Sequence, residues 1–298
     1  MDVGVLSLFL SGQCIEFNIY LLRTPWECYI TLDMNGFQLF GVVHLPPLPG
    51  SPFGSQSLSS IIDWALKDAH CLWENQFDGL IIENFGDAPF WAEQVEPHTV
   101  AQMAVISSAI RDAAPLRFQI GVNVLRNDAS AALAVAHAAN ANFIRVNVHS
   151  GSAWTDQGLI HGQARKTLEY RHKLGDTHIS IAADILVKHA KPAGVAEPVQ
   201  IAKDTAKRAG ADALIFTGSG TGEPTDLSVL KAVREHIGQT PLWIGSGLNV
   251  HNLTKSMEHA DAGIIGTYLH HEGDISKPLS HERCEAIQRV RCLGNGSN

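Results

Sequence analysis

The chain has 298 residues, of which 45% are hydrophobic and 17% are charged, so it is long and apolar enough to bury a large core. Its formal net charge of -8 at pH 7 argues against nucleic acid as a partner, because nucleic-acid-binding proteins usually present a basic face. No stretch of the sequence reaches the roughly 18 apolar residues that a membrane-spanning helix needs.

The cysteines and histidines give no sign of a metal centre. Five cysteines are scattered without CxxC spacing, which argues against a disulfide framework and against structural zinc. The histidines include the run His270-His271-Glu272 but no HExxH motif. We therefore expect a cytoplasmic protein with reduced thiols, and we expect it to need neither a metal nor a cofactor.

Residues 1–33 differ from the rest of the chain, because they show no clear apolar period and no capping signals. Met34 then precedes the first clean strand pattern. We predict that residues 1–33 are a poorly ordered extension, or that the protein really starts at Met34. A targeting or docking arm is the alternative for this segment. Residues 34–298 are predicted to form one domain.

From residue 38 onward, short apolar runs alternate with stretches of helical period. The predicted strands are Leu39–Leu45, Gly79–Asn84, Phe118–Leu125, Phe143–Val148, Ile179–Leu186, Ala213–Thr217, Pro241–Gly245 and Ala262–Tyr268. The predicted helices are Ser57–Glu74, Thr99–Ala113, Ala129–Ala139, Ala164–Leu174, Pro198–Ala209, Leu227–His236, Val250–His259 and His281–Arg291. This strict alternation predicts parallel strands with right-handed helical crossovers, closed into a (β/α)₈ TIM barrel.

An open doubly wound sheet is the main competing fold. Its first strand-to-helix turn normally carries a glycine-rich fingerprint. Here that turn reads His44-Leu45-Pro46-Pro47-Leu48-Pro49-Gly50, which cannot cradle a pyrophosphate, so the sequence favours the closed barrel. The residues placed to cap or end helices are Asn127, Asp128, Gly175, Gly210, Asp226 and Gly238.

Polar residues inside the apolar strands are the candidate catalytic residues. Chemistry in a barrel takes place where the strands end, and burying a polar side chain costs free energy unless it is paired. The candidates at strand ends are His44, Glu83, Asn123, Arg145, Asn147, Asp184 and Lys188. Arg145 and Asn147 lie two positions apart, so both are expected to face the lumen. The residues that alternate with them, and should face the helices, are Ile144, Val146 and Val148.

These candidates suggest acid–base chemistry. Asp184 or Glu83 is predicted to act as general base, while Lys188 and Arg145 stabilise developing negative charge. Asp184 and Lys188 share a face if their strand stays extended, and Lys188 as a Schiff-base residue is a further option. The long loop 149–162 adds Asp156 as an acid or base, and its Trp154 is expected to stack on a ligand. For any single one of these residues, a satisfied polar group in the barrel rim is the alternative.

Glycine-rich turns follow the last three predicted strands. The residues predicted to bind an anion there are Gly218, Ser219, Gly220, Gly245, Ser246, Gly247, Gly266 and Thr267. In many barrels the loops after strands seven and eight bind phosphate, because glycine lets backbone N–H groups approach the anion. The turns therefore predict a small phosphorylated ligand, with ordinary turn glycines as the alternative.

Motifs between about residue 40 and residue 290 resemble the BtpA/SgcQ family. The stretches that carry the resemblance are Gly41–Gly50, Asp78–Phe85, Asp87–Phe90, Gly121–Asp128, Phe143–Val148, Thr155–Gly158, Asp184–Ala190 and Ile244–Gly247. The resemblance implies a barrel of the ribulose-phosphate-binding type. In phototrophs it implies a factor for the biogenesis and stability of photosystem I, acting peripherally at a membrane surface. The family also occurs in a sugar-utilisation setting, and the resemblance carries over no catalytic residues.

Two functional hypotheses follow from the sequence. In the first, the protein supports the biogenesis or stability of a membrane complex, with peripheral contact and no membrane anchor. In the second, it is an enzyme of aldolase, isomerase or hydrolase type acting on a phosphorylated sugar or nucleotide-like metabolite. In both cases we expect a homo-oligomer.

Overall fold

The computed structural model describes residues 2–10, 13–21, 36–186, 190–194, 197–217 and 227–295. The chain divides into two compact units, Met1–Gly36 and Phe37–Asn298. In the first unit, strand Asp2–Leu10 pairs antiparallel with strand Gln13–Leu21. The assignment of residues 1–33 to an extension stays a prediction.

In the second unit, the described residues include eight parallel strands that close into a barrel. They are β1 (Gln38–His44), β2 (Gly79–Glu83), β3 (Gln119–Asn123), β4 (Phe143–Val146), β5 (Ser180–Leu186), β6 (Ala213–Phe216), β7 (Leu242–Ile244) and β8 (Ala262–Ile265). Neighbours in sequence are neighbours in the sheet, and β8 pairs with β1 to close it. The predicted (β/α)₈ TIM barrel is confirmed.

A helix follows each strand of the barrel within the described ranges. The helices are α1 (Leu58–Glu74), α2 (Pro97–Ala113), α3 (Ala129–Ala138), α4 (Ala164–Leu174), α5 (Pro198–Lys203), α6 (Leu227–Ile237), α7 (Leu253–Met257) and α8 (His281–Asn295). Asp128 caps α3 by accepting the Ala131 N–H at 2.9 Å, and Gly175 ends α4 with a φ of 74°. Both agree with the sequence prediction, whereas Asp226 lies outside the described residues.

Side chains alternate along each strand between an outer apolar layer and the lumen. The outer layer packs against the helices and includes Ile144 and Val146, as predicted. In the lumen, Phe40, Phe143 and Trp243 contact one another, with ring centroids 4.9 to 5.3 Å apart. We call these three rings the aromatic plug. They fill the lower part of the barrel, so that polar residues can gather only above them.

A small sheet, which we call the loop sheet, stands above the barrel strands. Its strands are Ser152–Thr155, Gly158–His161 and Ala190–Pro192. The sequence predicted one long loop over residues 149–162, but the chain there forms an antiparallel hairpin that pairs with the segment after β5. Val148 was expected to face the helices, and it packs instead against Ala153 and Ile160 of this sheet because β4 ends at Val146.

The first and last helices of the barrel lie side by side. The thiols of Cys71 in α1 and Cys284 in α8 are 3.7 Å apart.

Among the described residues, no helix is both long enough and apolar enough to cross a bilayer.

Candidate active site

The strand register places the predicted polar residues one layer above the aromatic plug. Residues two apart on a strand point to the same side, so His44 lies above Phe40 and Val42 on β1. By the same alternation, Arg145 follows Phe143 on β4. The neighbouring strands place His44 beside Glu83, and Glu83 beside Asn123, in register. The sequence prediction that Arg145 faces the lumen is therefore supported by the packing.

A cavity of about 380 Å³ opens at this end of the barrel. Its polar and aromatic lining comes from six strand ends and the loops behind them: His44, Glu83, Phe85, Arg126, Arg145, Asn147, Ser246, Asn249, Thr267, Tyr268 and Arg283, with Gly245, Gly247 and Gly266 between them. The structure thus brings most of the predicted site residues to one cavity. Lys188, Gly218, Ser219 and Gly220 lie outside the described residues.

The Asp184 carboxylate is the best-connected group behind this lining. It accepts a bidentate pair of hydrogen bonds from Arg145, with Nε at 2.9 Å and Nη2 at 3.1 Å. Asn147 Nδ2 donates to Oδ2 at 3.1 Å and Thr217 Oγ1 donates to Oδ1 at 2.8 Å. Each carboxylate oxygen thereby accepts two hydrogen bonds, which is the ordinary capacity of an ionised carboxylate. Asp184 is arranged to hold Arg145 and Asn147 in place.

The Glu83 carboxyl lies at the end of β2 and is only 8% exposed. Burial raises its pKa above the ordinary value, although the guanidinium groups of Arg145 and Arg126 act in the opposite direction. A carboxylate with a raised pKa binds a proton more tightly than an ordinary one, which suits it to general acid–base catalysis.

Two arginines supply positive charge to the same cavity. Burial alone would lower the pKa of Arg145, but the adjacent Asp184 carboxylate raises it above the ordinary value. Burial lowers the pKa of Arg126, opposed by the charges of Asp184, Glu83 and Asp156. Asp156 lies in the turn between the first two strands of the loop sheet, is exposed and does not line the cavity, so its role as an acid or base stays a prediction. Trp154 is 57% exposed and does not line the cavity.

The turns after β7 and β8 bring glycine backbone to the cavity wall. A Cβ atom on Gly245 would lie 2.5 Å from Thr217 Oγ1, so only glycine fits beside the hydroxyl that donates to Asp184. Gly247 has a φ of 74°, a left-handed conformation that also favours glycine. Asn252 holds this turn by donating to the Gly247 carbonyl at 2.8 Å. The helix that follows, α7, is only five residues long.

Two buried polar atoms on the cavity wall have no hydrogen-bond partner among the described residues. They are Oδ1 of Asn147 and Oγ of Ser246, in residues that are 5% and 7% exposed. Buried polar groups in folded proteins are normally hydrogen-bonded. Both residues line the cavity, which makes a polar ligand there one candidate partner for these atoms.

Two polar side chains of the same region tie loops together. Asn84 Oδ1 accepts the Leu125 N–H at 2.8 Å, and its amide nitrogen donates to Asp87 at 3.0 Å. Asp87 in turn accepts the Leu48 N–H at 2.8 Å. These bonds join the loops after β1, β2 and β3 and fix the rim of the cavity.

A histidine that the sequence analysis considered only as a metal ligand completes the site. His270, which is fully buried, places its Nε2 2.9 Å from Nδ1 of His44. Phe85, Arg126 and Arg283 also line the cavity, although the sequence did not predict them as site residues. The position of Arg126 directly after the motif that ends β3 was the one available signal.

Within the described residues, no group of three or more His, Cys, Asp or Glu side chains is arranged to hold a metal ion.

Comparison with known proteins places the barrel in a family. The sequence model of the BtpA family matches residues 37–291. An uncharacterized protein from Thermococcus kodakarensis is 42% identical over 256 residues, covering 86% of this chain and 95% of the relative. Photosystem I biogenesis protein BtpA from Synechocystis sp. is 40% identical over 270 residues, covering 88% of this chain and 92% of the relative.

Solved structures agree on the fold. Phosphoribosyl anthranilate isomerase from Thermus thermophilus matches with a TM-score of 0.54 at 11% identity, covering 86% of this chain and 99% of that one. KGPDC from Streptococcus mutans matches with a TM-score of 0.53 at 13% identity, covering 87% and 98%. Identities this low support the barrel fold alone. The family match and the relatives together show that this chain belongs to the BtpA family.

Proposed function

We propose that the cavity binds a small phosphorylated metabolite and that the protein catalyses a proton-transfer reaction on it, of isomerase or aldolase type. One observation carries this proposal. The buried Glu83 carboxyl, with its raised pKa, lines the same cavity as the glycine turns after β7 and β8. A proton-transfer group and an anion-binding turn in one pocket are the two parts that such a reaction needs.

The phosphate is assigned to the turns Gly245-Ser246-Gly247 and Gly266-Thr267. Their glycines let the backbone approach the anion, and Ser246 Oγ is a buried hydroxyl that is placed to donate to it. Arg283, which also lines the cavity, donates to the Tyr268 carbonyl at 2.9 Å and brings a positive charge to this side. Gly218, Ser219 and Gly220 stay candidates for the same role.

The reacting part of the ligand is assigned to the opposite wall. Glu83 is the better general base of the two carboxylates that the sequence suggested, since both oxygens of Asp184 are engaged by Arg145, Asn147 and Thr217. Arg145, held by Asp184, is placed to stabilise negative charge that develops on the ligand. Lys188 as a charge-stabilising or Schiff-base residue remains a separate proposal.

Ligand binding is tested by a thermal-shift screen of phosphorylated sugars beside their unphosphorylated counterparts. A ligand at about 100 times its Kd stabilises the folded protein by about 2.7 kcal/mol. We expect shifts with phosphorylated compounds alone, and smaller shifts in Ser246→Ala. A screen in which no phosphorylated compound raises the melting temperature would contradict the proposed ligand class.

Proton transfer is tested with the compounds that bind, by following the uptake of deuterium from D₂O into the ligand by NMR. Glu83→Gln should abolish exchange, a loss of at least about 100-fold, while binding persists. Glu258→Gln, an exposed change at the end of α7, is the matched control and should exchange like the natural protein. Exchange at the natural rate in Glu83→Gln would remove Glu83 from the mechanism.

Support of a membrane complex is the second candidate function, and one relative favours it. The Synechocystis protein named for photosystem I biogenesis aligns along most of this chain. Other relatives come from Thermococcus, Methanocaldococcus and Archaeoglobus, which have no photosystem. We infer that the pocket serves a shared chemistry and that complex assembly is an additional role. Deleting the gene and finding every membrane complex at its normal level would reject that role.

A further inference from the structure

His270 has no part in the reaction proposed above, yet it is buried directly behind His44 on the cavity wall. We infer that His270 fixes the tautomer of His44, so that Nε2 of His44 is a second proton acceptor for the bound ligand. This inference rests on the proposed function, because it adds a base to the same cavity. His270 contacts no ligand itself and is therefore a positioning residue.

The hydrogen bonds of His270 determine where its proton lies. Its Nδ1 is 2.6 Å from the backbone carbonyl oxygen of Lys277. A carbonyl oxygen can only accept a hydrogen bond, so Nδ1 of His270 must carry a hydrogen. In the neutral ring the other nitrogen, Nε2, then has a lone pair and must act as an acceptor.

The position of the hydrogen on His44 follows from the same chain of bonds. Its Nδ1 lies 2.9 Å from the accepting Nε2 of His270, so Nδ1 of His44 must be the donor of that bond. The neutral His44 ring then carries its lone pair on Nε2. The chain of bonds from the Lys277 carbonyl through two imidazoles thus selects one of the two tautomers of His44.

The burial of His270 keeps its imidazole ring neutral, and the hydrogen bonds described above depend on that neutral ring. Burial lowers the pKa of His270, although the bond to the Lys277 carbonyl and the nearby Asp274 carboxylate act in the opposite direction. The charge of a protonated His271 would lower it further. The ring is therefore neutral near pH 7, as the argument requires.

The Nε2 edge of the His44 ring faces the glycine turn after β8, which is one of the two turns assigned to the phosphate. A Cβ atom on Gly266 would lie 2.9 Å from Cε1 and 3.3 Å from Nε2 of His44, so this edge of the ring lies directly against Gly266. Phe85 packs edge-on against the same ring, with centroids 5.2 Å apart. On the other side His44 is in register with Glu83 on β2. Two proton-transfer groups therefore stand next to each other on neighbouring strands.

The proton transfer balances without any further reactant. A C–H or O–H bond of the ligand breaks, its electron pair stays on the ligand, and the proton bonds to Nε2 of His44. The resulting imidazolium keeps its Nδ1–H bond to His270. Transfer of that proton from Nε2 of His44 to another ligand atom restores the neutral ring and completes an isomerisation.

The direct test is ¹⁵N NMR of the imidazole nitrogens in the ¹⁵N-histidine-labelled full chain. We expect His44 to carry its hydrogen on Nδ1 in the natural protein. In His270→Phe the acceptor is lost, and His44 should change to the Nε2–H tautomer that imidazole prefers in water. In His270→Gln the amide oxygen can still accept from Nδ1, so the natural tautomer should be rescued. His271→Phe, an exposed neighbour, is the matched control and should leave His44 unchanged.

The outcome is decided without a ligand. Observing Nε2–H in the natural protein, or an unchanged tautomer in folded His270→Phe, would overturn the inference and leave phosphate binding untouched. With a ligand in hand, His270→Phe should lower deuterium exchange by at least about tenfold at unchanged Kd, and His270→Gln should recover it. Failure of every phosphorylated compound to bind would instead count against the proposed function, whatever the tautomer of His44.

Discussion

Buried carboxylates in this barrel follow two different rules at the residue scale. At Asp184, Arg145, Asn147 and Thr217 supply hydrogen bonds to both carboxylate oxygens. Asp68 in α1 has fewer hydrogen bonds. Its Oδ1 accepts the Leu279 N–H at 2.9 Å, while Oδ2 is buried without a partner among the described residues. Burial accordingly raises the pKa of Asp68 from 3.8 to about 6.

The raised pKa predicts a pH-dependent stability. The folded protein binds the Asp68 proton more tightly than the unfolded chain does, so its stability should fall as pH rises from about 4 to about 6. A shift of roughly two pH units corresponds to a loss of up to about 3 kcal/mol. In Asp68→Asn the amide oxygen still accepts from Leu279, and this part of the fall should disappear.

Urea unfolding at several pH values from about 4 to about 7 measures the effect of Asp68. Asp63→Asn, an exposed change on the same helix, is the control and should keep the natural pH profile. If Asp68→Asn and the natural protein lose stability in parallel, another group is responsible for the dependence.

At the element scale, the layer structure of the strands decides where polar groups can lie. Gly121 on β3 leaves room for the Phe143 ring of the aromatic plug, because a Cβ atom there would lie 2.3 Å from that ring. Gly121→Ala should therefore overpack the plug and lower the free energy of unfolding by about 1–3 kcal/mol. Gly36→Ala, whose Cβ meets nothing within 4 Å, should change it by less than about 0.5 kcal/mol. Equal effects of the two changes in denaturant unfolding would refute the role of the plug.

The same alternation explains what the sequence could predict. Apolar runs and helical periods in the sequence predicted the positions of the barrel strands and helices. The alternation of side chains along a strand predicted that Arg145 and Asn147 face the lumen. Both predictions succeed because they use only neighbouring residues. The loop sheet was missed because its third strand, Ala190–Pro192, pairs with a distant part of the chain. His270 was missed for a similar reason, since its bond to His44 joins residues that lie 226 positions apart. The donors that saturate Asp184 on β5 likewise come from the ends of two other strands, β4 and β6.

On the scale of the whole molecule, barrel closure brings α1 and α8 together. The thiols of Cys71 and Cys284 approach to 3.7 Å across this seam. Oxidation by diamide should join them in a disulfide that closes a loop of more than 200 residues. Loop-closure entropy then predicts a stabilisation of up to about 5 kcal/mol, seen as a higher melting temperature.

Peptide mapping identifies the cross-link between Cys71 and Cys284. Cys292→Ser removes an exposed thiol of α8 and should leave the increase in melting temperature unchanged, whereas Cys71→Ser should abolish it. An increase that survives in Cys71→Ser would show that a different pair of thiols is responsible.

The aromatic plug has a kinetic consequence for the proposed reaction. Phe40, Phe143 and Trp243 block passage through the barrel, so the cavity is a dead end among the residues described. Reactant and product must then use the same entrance, and one has to leave before the other enters. Product inhibition should accordingly be purely competitive with the reactant. Bulkier side chains at the rim of the cavity should slow reactant binding and product release together.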